Sequence, residues 1–191
     1  MAADPRYRSL LDYDTLVMQQ VTAFMANDFQ IFDLTGAPIG LINTTGAASD
    51  RFFLGSRELD VTELDGTPLV HVSDPIDFGR DTFKLTLPSS EPLATLTKQL
   101  SLFKTVVDIQ VLNGPPLRLE GNVFDFDFEI RTPTTVAARA SRQWAGLGAS
   151  FLGHSRYVVG IDPQAPRQVR LTIIGSLVAL DLIRAKAEKG S

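Results

Sequence analysis

The chain has no cysteine, two histidines and one tryptophan among its 191 residues. Without cysteine it can form no disulfide, thiolate metal site, cysteine nucleophile or S-acyl anchor. The two histidines, His71 and His154, do not make an H-x-x-x-H pair, and a zinc site on either would need carboxylate help. His71 follows Val70 in a strand-like run and reads as structural. His154 sits in the turn Gly153-His154-Ser155 and could titrate, but nothing marks it as a base. No G-x-S-x-G elbow, P-loop or dinucleotide fingerprint occurs, and Gly146-Leu147-Gly148-Ala149-Ser150 has the wrong order for the first. The expectation is a protein that is not an enzyme and holds no cofactor and no metal.

Excess charge of either sign is also missing. The net charge is −4, which argues against a general nucleic-acid binder. Hydrophobic residues make up 44% and charged residues 21%, an ordinary soluble balance. No stretch of biased composition is long enough to be a linker, so one domain over residues 1–191 is expected. The opening Met1-Ala2-Ala3-Asp4-Pro5-Arg6 has no charged-then-apolar signal pattern. A cytoplasmic protein is expected, acting at most as a peripheral protein on the inner membrane surface.

What the chain does have is an apolar C-terminal run. From Leu171 to Ile183 only Thr172, Ser176 and Asp181 are polar. As a helix the run is ~20 Å long, short of the ~20 apolar residues that span a bilayer. It is flanked by Arg170 and interrupted by Asp181, so the chain is not expected to be transmembrane. A helix apolar on every side must be surrounded by protein.

The rest reads as strands. Val123 to Ile130 alternates strictly, with Phe124, Phe126, Phe128 and Ile130 on one face and Asp125, Asp127 and Glu129 on the other. Phe29–Asp33 and Ile39–Ile42 flank Leu34-Thr35-Gly36-Ala37-Pro38. Leu59–Glu63 and Leu69–Val72 flank Leu64-Asp65-Gly66-Thr67-Pro68. The two units look alike, each a hairpin with glycine at a position that needs positive φ. Further strands are expected at 15–21, 82–87, 106–112, 117–120, 136–144 and 157–161, and 93–103 is ambiguous between strand and helix. Many short antiparallel strands and one apolar helix imply a closed antiparallel β-barrel wrapped around that helix. The strands should span about 14–161 and the helix about 166–186.

The C-terminal third resembles a known family. It reads Val136-Ala137, Ser141-Arg142-Gln143-Trp144-Ala145-Gly146-Leu147, Arg156-Tyr157-Val158-Val159, Asp162-Pro163, then the apolar run with Leu180-Asp181-Leu182-Ile183. This is similar to the tubby-like superfamily, and more closely resembles the LURP-one-related proteins and the phospholipid scramblases. Val17 to Gln20 and Phe29 to Gly36 resemble the opening strands. The resemblance implies a barrel of about twelve strands closed around the last helix. Where scramblases carry an acidic calcium-binding segment this chain has His154, Ser155 and Arg156, so no calcium site carries over.

Candidate ligand-binding residues are basic. Arg51 and Arg57 flank Phe52-Phe53-Leu54, Arg80 and Lys84 flank Phe83, and Arg139 and Arg142 precede Trp144. Such groupings can set apolar side chains in a bilayer interface while guanidinium groups meet phosphates. The plainer reading has the phenylalanines packed inward and the arginines solvated. The carboxylates Asp125, Asp127 and Glu129 could hold a cation, but a wet strand face suits them better. Asp181, inside the apolar run, needs a partner, either Arg184 one turn on or an arginine at the barrel mouth. The resemblance implies a non-catalytic barrel that binds anionic phospholipid or phosphoinositide headgroups at the cytoplasmic membrane surface. Scramblase-like lipid transfer, and a structural barrel that binds a protein partner, are the alternatives.

Overall fold

The computed structural model describes residues 8–19, 28–45, 57–75, 81–101, 104–142 and 156–189. The chain before the helix folds into strands whose residues alternate between a buried and a wet face. In β6 (Thr82–Thr86), Phe83 and Leu85 are buried while Lys84 between them is exposed. The earlier strands are β1 (Thr15–Gln19), β2 (Asp28–Phe32), β3 (Pro38–Thr45), β4 (Arg57–Thr62) and β5 (Pro68–Asp74). Then come β7 (Pro92–Gln99), β8 (Thr105–Val111), β9 (Leu117–Asn122), β10 (Asp127–Arg131), β11 (Val136–Ser141) and β12 (Arg156–Ile161). Each strand pairs antiparallel with its sequence neighbours, and β1 pairs with β12, from Thr15 opposite Gly160 to Gln19 opposite Arg156. The twelve strands therefore close into a barrel with no free edge. Helix α1 (Arg167–Lys189) follows.

One hairpin design recurs at the end of the barrel where α1 begins. The N–H groups of Asp33, Glu63 and Leu87 donate to the carbonyls of Ala37, Thr67 and Glu91, at 2.9, 2.9 and 2.8 Å. The fourth residue of each turn, Gly36, Gly66 or Ser90, has φ of 85°, 85° or 68°. Glycine takes that conformation without a Cβ penalty. A proline then opens the next strand (Pro38, Pro68, Pro92), opposite a register shift where no ladder donor is needed. Two of these units are visible as sequence repeats. The third, with serine in place of glycine, is not. All hairpins on this proximal rim are short, and the β1–β2, β3–β4 and β5–β6 links join at the opposite, distal rim.

Two strand expectations change. The ambiguous stretch 93–103 forms strand over Pro92–Gln99. The alternating stretch Val123–Ile130 is strand only from Asp127; Val123 to Phe126 is a turn. Asn122 Nδ2 donates to Asp125 Oδ2 at 2.5 Å, the Asp125 N–H donates to Asn122 Oδ1 at 3.3 Å, and Phe126 takes φ of 56°. These local bonds compete with the ladder. They leave Phe124 51% exposed while Phe126, Phe128 and Ile130 stay buried.

From Thr172 to Arg184 every residue of α1 is buried. Ile173, Ile174, Leu177, Val178, Leu180 and Ile183 pack against inward residues such as Val72, Phe83, Leu85, Leu96 and Ile109. The fit is close at Gly175, where a Cβ would stand 2.9 Å from Leu85 Cδ1. The two buried hydroxyls bond back along the helix, Thr172 Oγ1 to Gln168 O at 2.9 Å and Ser176 Oγ to Thr172 O at 2.6 Å.

Arg170 anchors the start of α1. Its Nε donates to Ala165 O at 3.1 Å and its Nη1 to Leu11 O and Tyr13 O at 3.3 and 3.1 Å. Its Nη2 donates to Asp14 Oδ1 at 2.5 Å and to Asp162 O and Pro163 O, both at 3.2 Å. A cation in a first helical turn opposes the helix dipole, and these six oxygens offset it. One side chain thus ties the segment before β1, the turn after β12 and the helix. Lysine has neither the reach nor the planar fork to serve them all. Arg170→Lys is expected to lower unfolding free energy by about 2–4 kcal/mol in urea denaturation; a loss under about 0.5 kcal/mol would show that the clasp is dispensable.

Candidate functional site

The helix carries one carboxylate and one guanidinium into the barrel near the distal rim. Asp181 Oδ1 accepts from Arg184 Nη1 at 3.3 Å, with both side chains under 5% exposed. The partner expected for Asp181 is therefore present one turn on. An aliphatic wall would strand the rest of the arginine, and the chain supplies aromatic faces instead. The Arg184 guanidinium carbon lies 3.6 Å from the centre of the Phe126 ring. Phe126 reaches this spot because its left-handed backbone turns the β9–β10 link inward. Tyr157, from β12, packs on the same ring at 4.6 Å with a 34° tilt and meets Phe128 edge-on at 6.1 Å.

Arg142, just beyond β11, completes the group. Its guanidinium lies 4.1 Å over the Phe126 ring, and the residue is half-buried. Two cations on one aromatic ring concentrate positive charge at the end of the barrel. The Tyr157 hydroxyl and Arg184 Nε are buried without a hydrogen-bond partner. Burial raises the Tyr157 pKa well above its usual value; the Asp181 charge adds to this and Arg184 opposes it. Of this group only the partly buried Arg142 guanidinium can meet anionic oxygen atoms from outside; Tyr157 and Arg184 are sealed.

The expected ligand residues do not form one patch. Arg142 joins the distal group. Arg139 is on the outer face, opposite Glu129, and pairs with it; Arg131 pairs with the same carboxylate at 2.7 Å. Slight burial pulls the Glu129 pKa up, but the two arginines outweigh it and hold the carboxyl below its usual range. Glu129 is thus committed to arginines and Asp125 to a turn, so the row with Asp127 is not a common ligand face. Lys84 is exposed on β6, five strands around the barrel from β11. Arg57 begins β4, but its side chain lies outside the described residues, as do Arg51, Arg80, Phe52, Phe53, Leu54, Trp144 and His154. His71 meets Asp60 across the β4–β5 ladder at 2.6 Å, the structural role expected of it.

The distal rim also exposes large apolar side chains. Leu100, on the β7–β8 link, is 100% exposed and Phe124, on the β9–β10 link, 51%. These links are neighbours on the rim, and Lys104 at the foot of β8 and Arg142 lie along the same arc. Sequence reasoning missed both. Leu100 fell in a stretch ambiguous between helix and strand, and Phe124 fitted an alternation that would have buried it. Among the described residues no three histidine, aspartate or glutamate side chains gather to hold a metal ion. Among the same residues no helix is long and apolar enough to cross a membrane.

The sequence pattern of LURP-one-related proteins matches residues 14–181 of this chain. A protein of Arabidopsis thaliana, solved by X-ray crystallography, is similar in structure with a TM-score of 0.59 at 15% identity. The match covers 96% of this chain and 98% of that one, and at this identity it speaks for the fold. No curated protein matches the sequence.

The Tyr157 environment makes a prediction for alkaline solution. A folded-state pKa raised above the unfolded value of ~10 means that stability is present below pH ~10 and lost as pH rises beyond it. Unfolding free energy should fall between pH 9 and 11 in the wild type and fall less in Tyr157→Phe. Near neutrality the variant should stay within about 1 kcal/mol of wild type, because the hydroxyl has no bond to lose. Equal alkaline slopes would assign the effect elsewhere.

Proposed function

The chain belongs to the LURP-one-related family, and we propose that it is a non-catalytic barrel protein whose distal rim binds anionic phospholipid or phosphoinositide headgroups at the cytoplasmic membrane surface. The observation that carries this reading is the fully exposed Leu100 beside the half-exposed Phe124, on the same arc as Lys104 and Arg142. An exposed leucine on a short link contributes nothing to the core and gains by entering the apolar edge of a bilayer. Arg142 on the same arc can meet phosphates at the depth where headgroups lie, while Lys104 would first have to leave its pair with Glu120 at 2.5 Å. Arg142 suits this role because it is only partly buried and its plane is set by Phe126. Lys84, exposed on the outer wall, would add a weaker, longer-range attraction.

The reading gives the stacked guanidinium groups a holding role. Tyr157 and Arg184 are sealed among apolar residues, which suits fixing the shape of the barrel end more than turning over a substrate. Arg184 supports Phe126 from inside, and Phe126 in turn positions Arg142.

Co-sedimentation with vesicles tests the proposal. Binding should be weak to phosphatidylcholine, stronger when phosphatidylserine or a phosphoinositide is included, and reduced by salt. Leu100→Ser should weaken binding about tenfold and Lys84→Ala about fivefold. Binding that ignores lipid charge and salt, or that survives both changes intact, would remove the headgroup assignment.

A further inference from the structure

The proximal rim has the opposite character, and it stands independently of the membrane reading. Leu34 and Leu64 occupy the same place in two successive hairpins of identical design and are 41% and 40% exposed. The next tip around the rim carries Pro88, also exposed, and the tip after that carries Leu112 at 49%. The four tips β2–β3, β4–β5, β6–β7 and β8–β9 are consecutive around the barrel. They form an arc of apolar side chains on turns that have no folding use for them. The turns themselves are held by polar groups, since Asp33 Oδ1 accepts from the Thr35 hydroxyl at 2.6 Å and from the Thr35 and Ala37 N–H groups at 2.8 and 3.0 Å.

Where the arc meets the helix it deepens into a groove of about 630 Å³. Leu87, Leu93, Leu112 and Leu171 line it, with Glu91 and Arg167 at its edges. The groove has fixed walls. Gln168 Nε2 donates to Leu112 O at 2.5 Å and pins the β8–β9 tip to the first turn of α1. Leu93, 1% exposed, belongs to the core.

The charge around this arc is acidic. Asp33, Asp65, Glu91 and Asp162 lie on the proximal turns, with Glu63 taken up by Ser9 and the Leu10 N–H. Against them stand Arg167 at the groove and Arg8 over the Tyr13 ring, while Arg118 and Arg131 are paired with carboxylates on the outer wall. Asp33 and Asp65 are held below the usual carboxylate range. At Asp33 slight burial pulls the other way, and bonds from Thr35, Ala37 and Gly36 prevail; at Asp65 the Thr67 N–H leads. Both stay charged through any physiological pH. Such a rim repels anionic lipid, and it repels the same rim of a second copy.

We propose that the proximal rim is a docking surface for a basic amphipathic helical segment of a partner protein. Its apolar residues would lie along Leu34, Leu64 and the Leu87–Leu112 groove, and its lysine or arginine residues would face Asp33, Asp65 and Glu91. Leucine spaced by three and four residues along a helix gives the row of anchors that such a groove accepts. Like-signed charges on a wrong partner would be rejected by the same carboxylates.

A synthetic helical peptide of leucine and lysine at that spacing, and its leucine–glutamate counterpart, make the test with the full chain. Methyl NMR should show the lysine peptide shifting Leu34, Leu64 and Leu112 while leaving Leu100 still. The glutamate peptide should bind at least about tenfold more weakly. The double change Leu34→Ser, Leu64→Ser should weaken the lysine peptide about tenfold, and Glu91→Lys should weaken it with the leucines in place. Leu100→Ser should leave it unchanged. These sites are exposed turns, and unchanged melting temperatures will confirm intact folding. Shifts that spread over the barrel, or binding indifferent to the leucines, would overturn the proposal. So would concentration-dependent self-association of the chain that the leucine changes abolish, which would assign the arc to a second copy.

Discussion

Every other feature of this protein depends on enclosing a helix that is apolar around its whole circumference. Such a helix has no side to offer to water, and a flat sheet would cover one side only. Closing the sheet removes that difficulty and also removes the unpaired edges of β1 and β12, which find each other as the barrel shuts. The helix in turn fills a space that side chains from twelve strands alone would leave open. Gly175 against Leu85 marks where wall and filling come closest.

A filled barrel must still manage the charged groups that enter and leave it. At the proximal end Arg170 is surrounded by carbonyl oxygens from two segments of chain, one before β1 and one after β12, so one cation closes the point where the helix goes in. At the distal end the solution is different. Asp181 and Arg184 neutralise each other, and the remaining surface of the arginine rests on Phe126. The first arrangement satisfies every direction of a guanidinium group with hydrogen bonds. The second leaves Arg184 Nε and the Tyr157 hydroxyl without partners and relies on aromatic faces. Unsatisfied donors cost stability, which makes the distal end the less settled of the two.

The two rims differ in what lies beside their exposed apolar residues. Distally, Leu100 and Phe124 share an arc with Arg142 and with Lys104, which Glu120 pairs; proximally, Leu34, Leu64 and Leu112 stand mostly among carboxylates. The shared apolar element suits burial against something in both cases. On the two proposals made above, the neighbouring charge is what would separate the partners, an anionic surface at one end and a basic one at the other.

Read alone, the amino-acid order was enough for the buried helix, the antiparallel strands, the two glycine hairpins and the need of Asp181 for an arginine, with Arg184 one of two candidates. Each of these follows from periodicity or from neighbours along the chain. The order also carried the family resemblance through residues such as Arg156-Tyr157-Val158 and Asp162-Pro163. What it did not carry depends on residues far apart in sequence. Arg170 looked like a flanking charge, because its oxygen partners at Leu11, Tyr13 and Asp14 lie some 150 positions earlier. Phe124 and Phe126 looked alike by alternation, and only the Asn122–Asp125 turn sent one outward and the other under two guanidinium groups. Alternation tells which residues can face inward together. Closure of the barrel decides which of them meet, because it alone sets the register between distant strands and the depth at which the helix comes to rest.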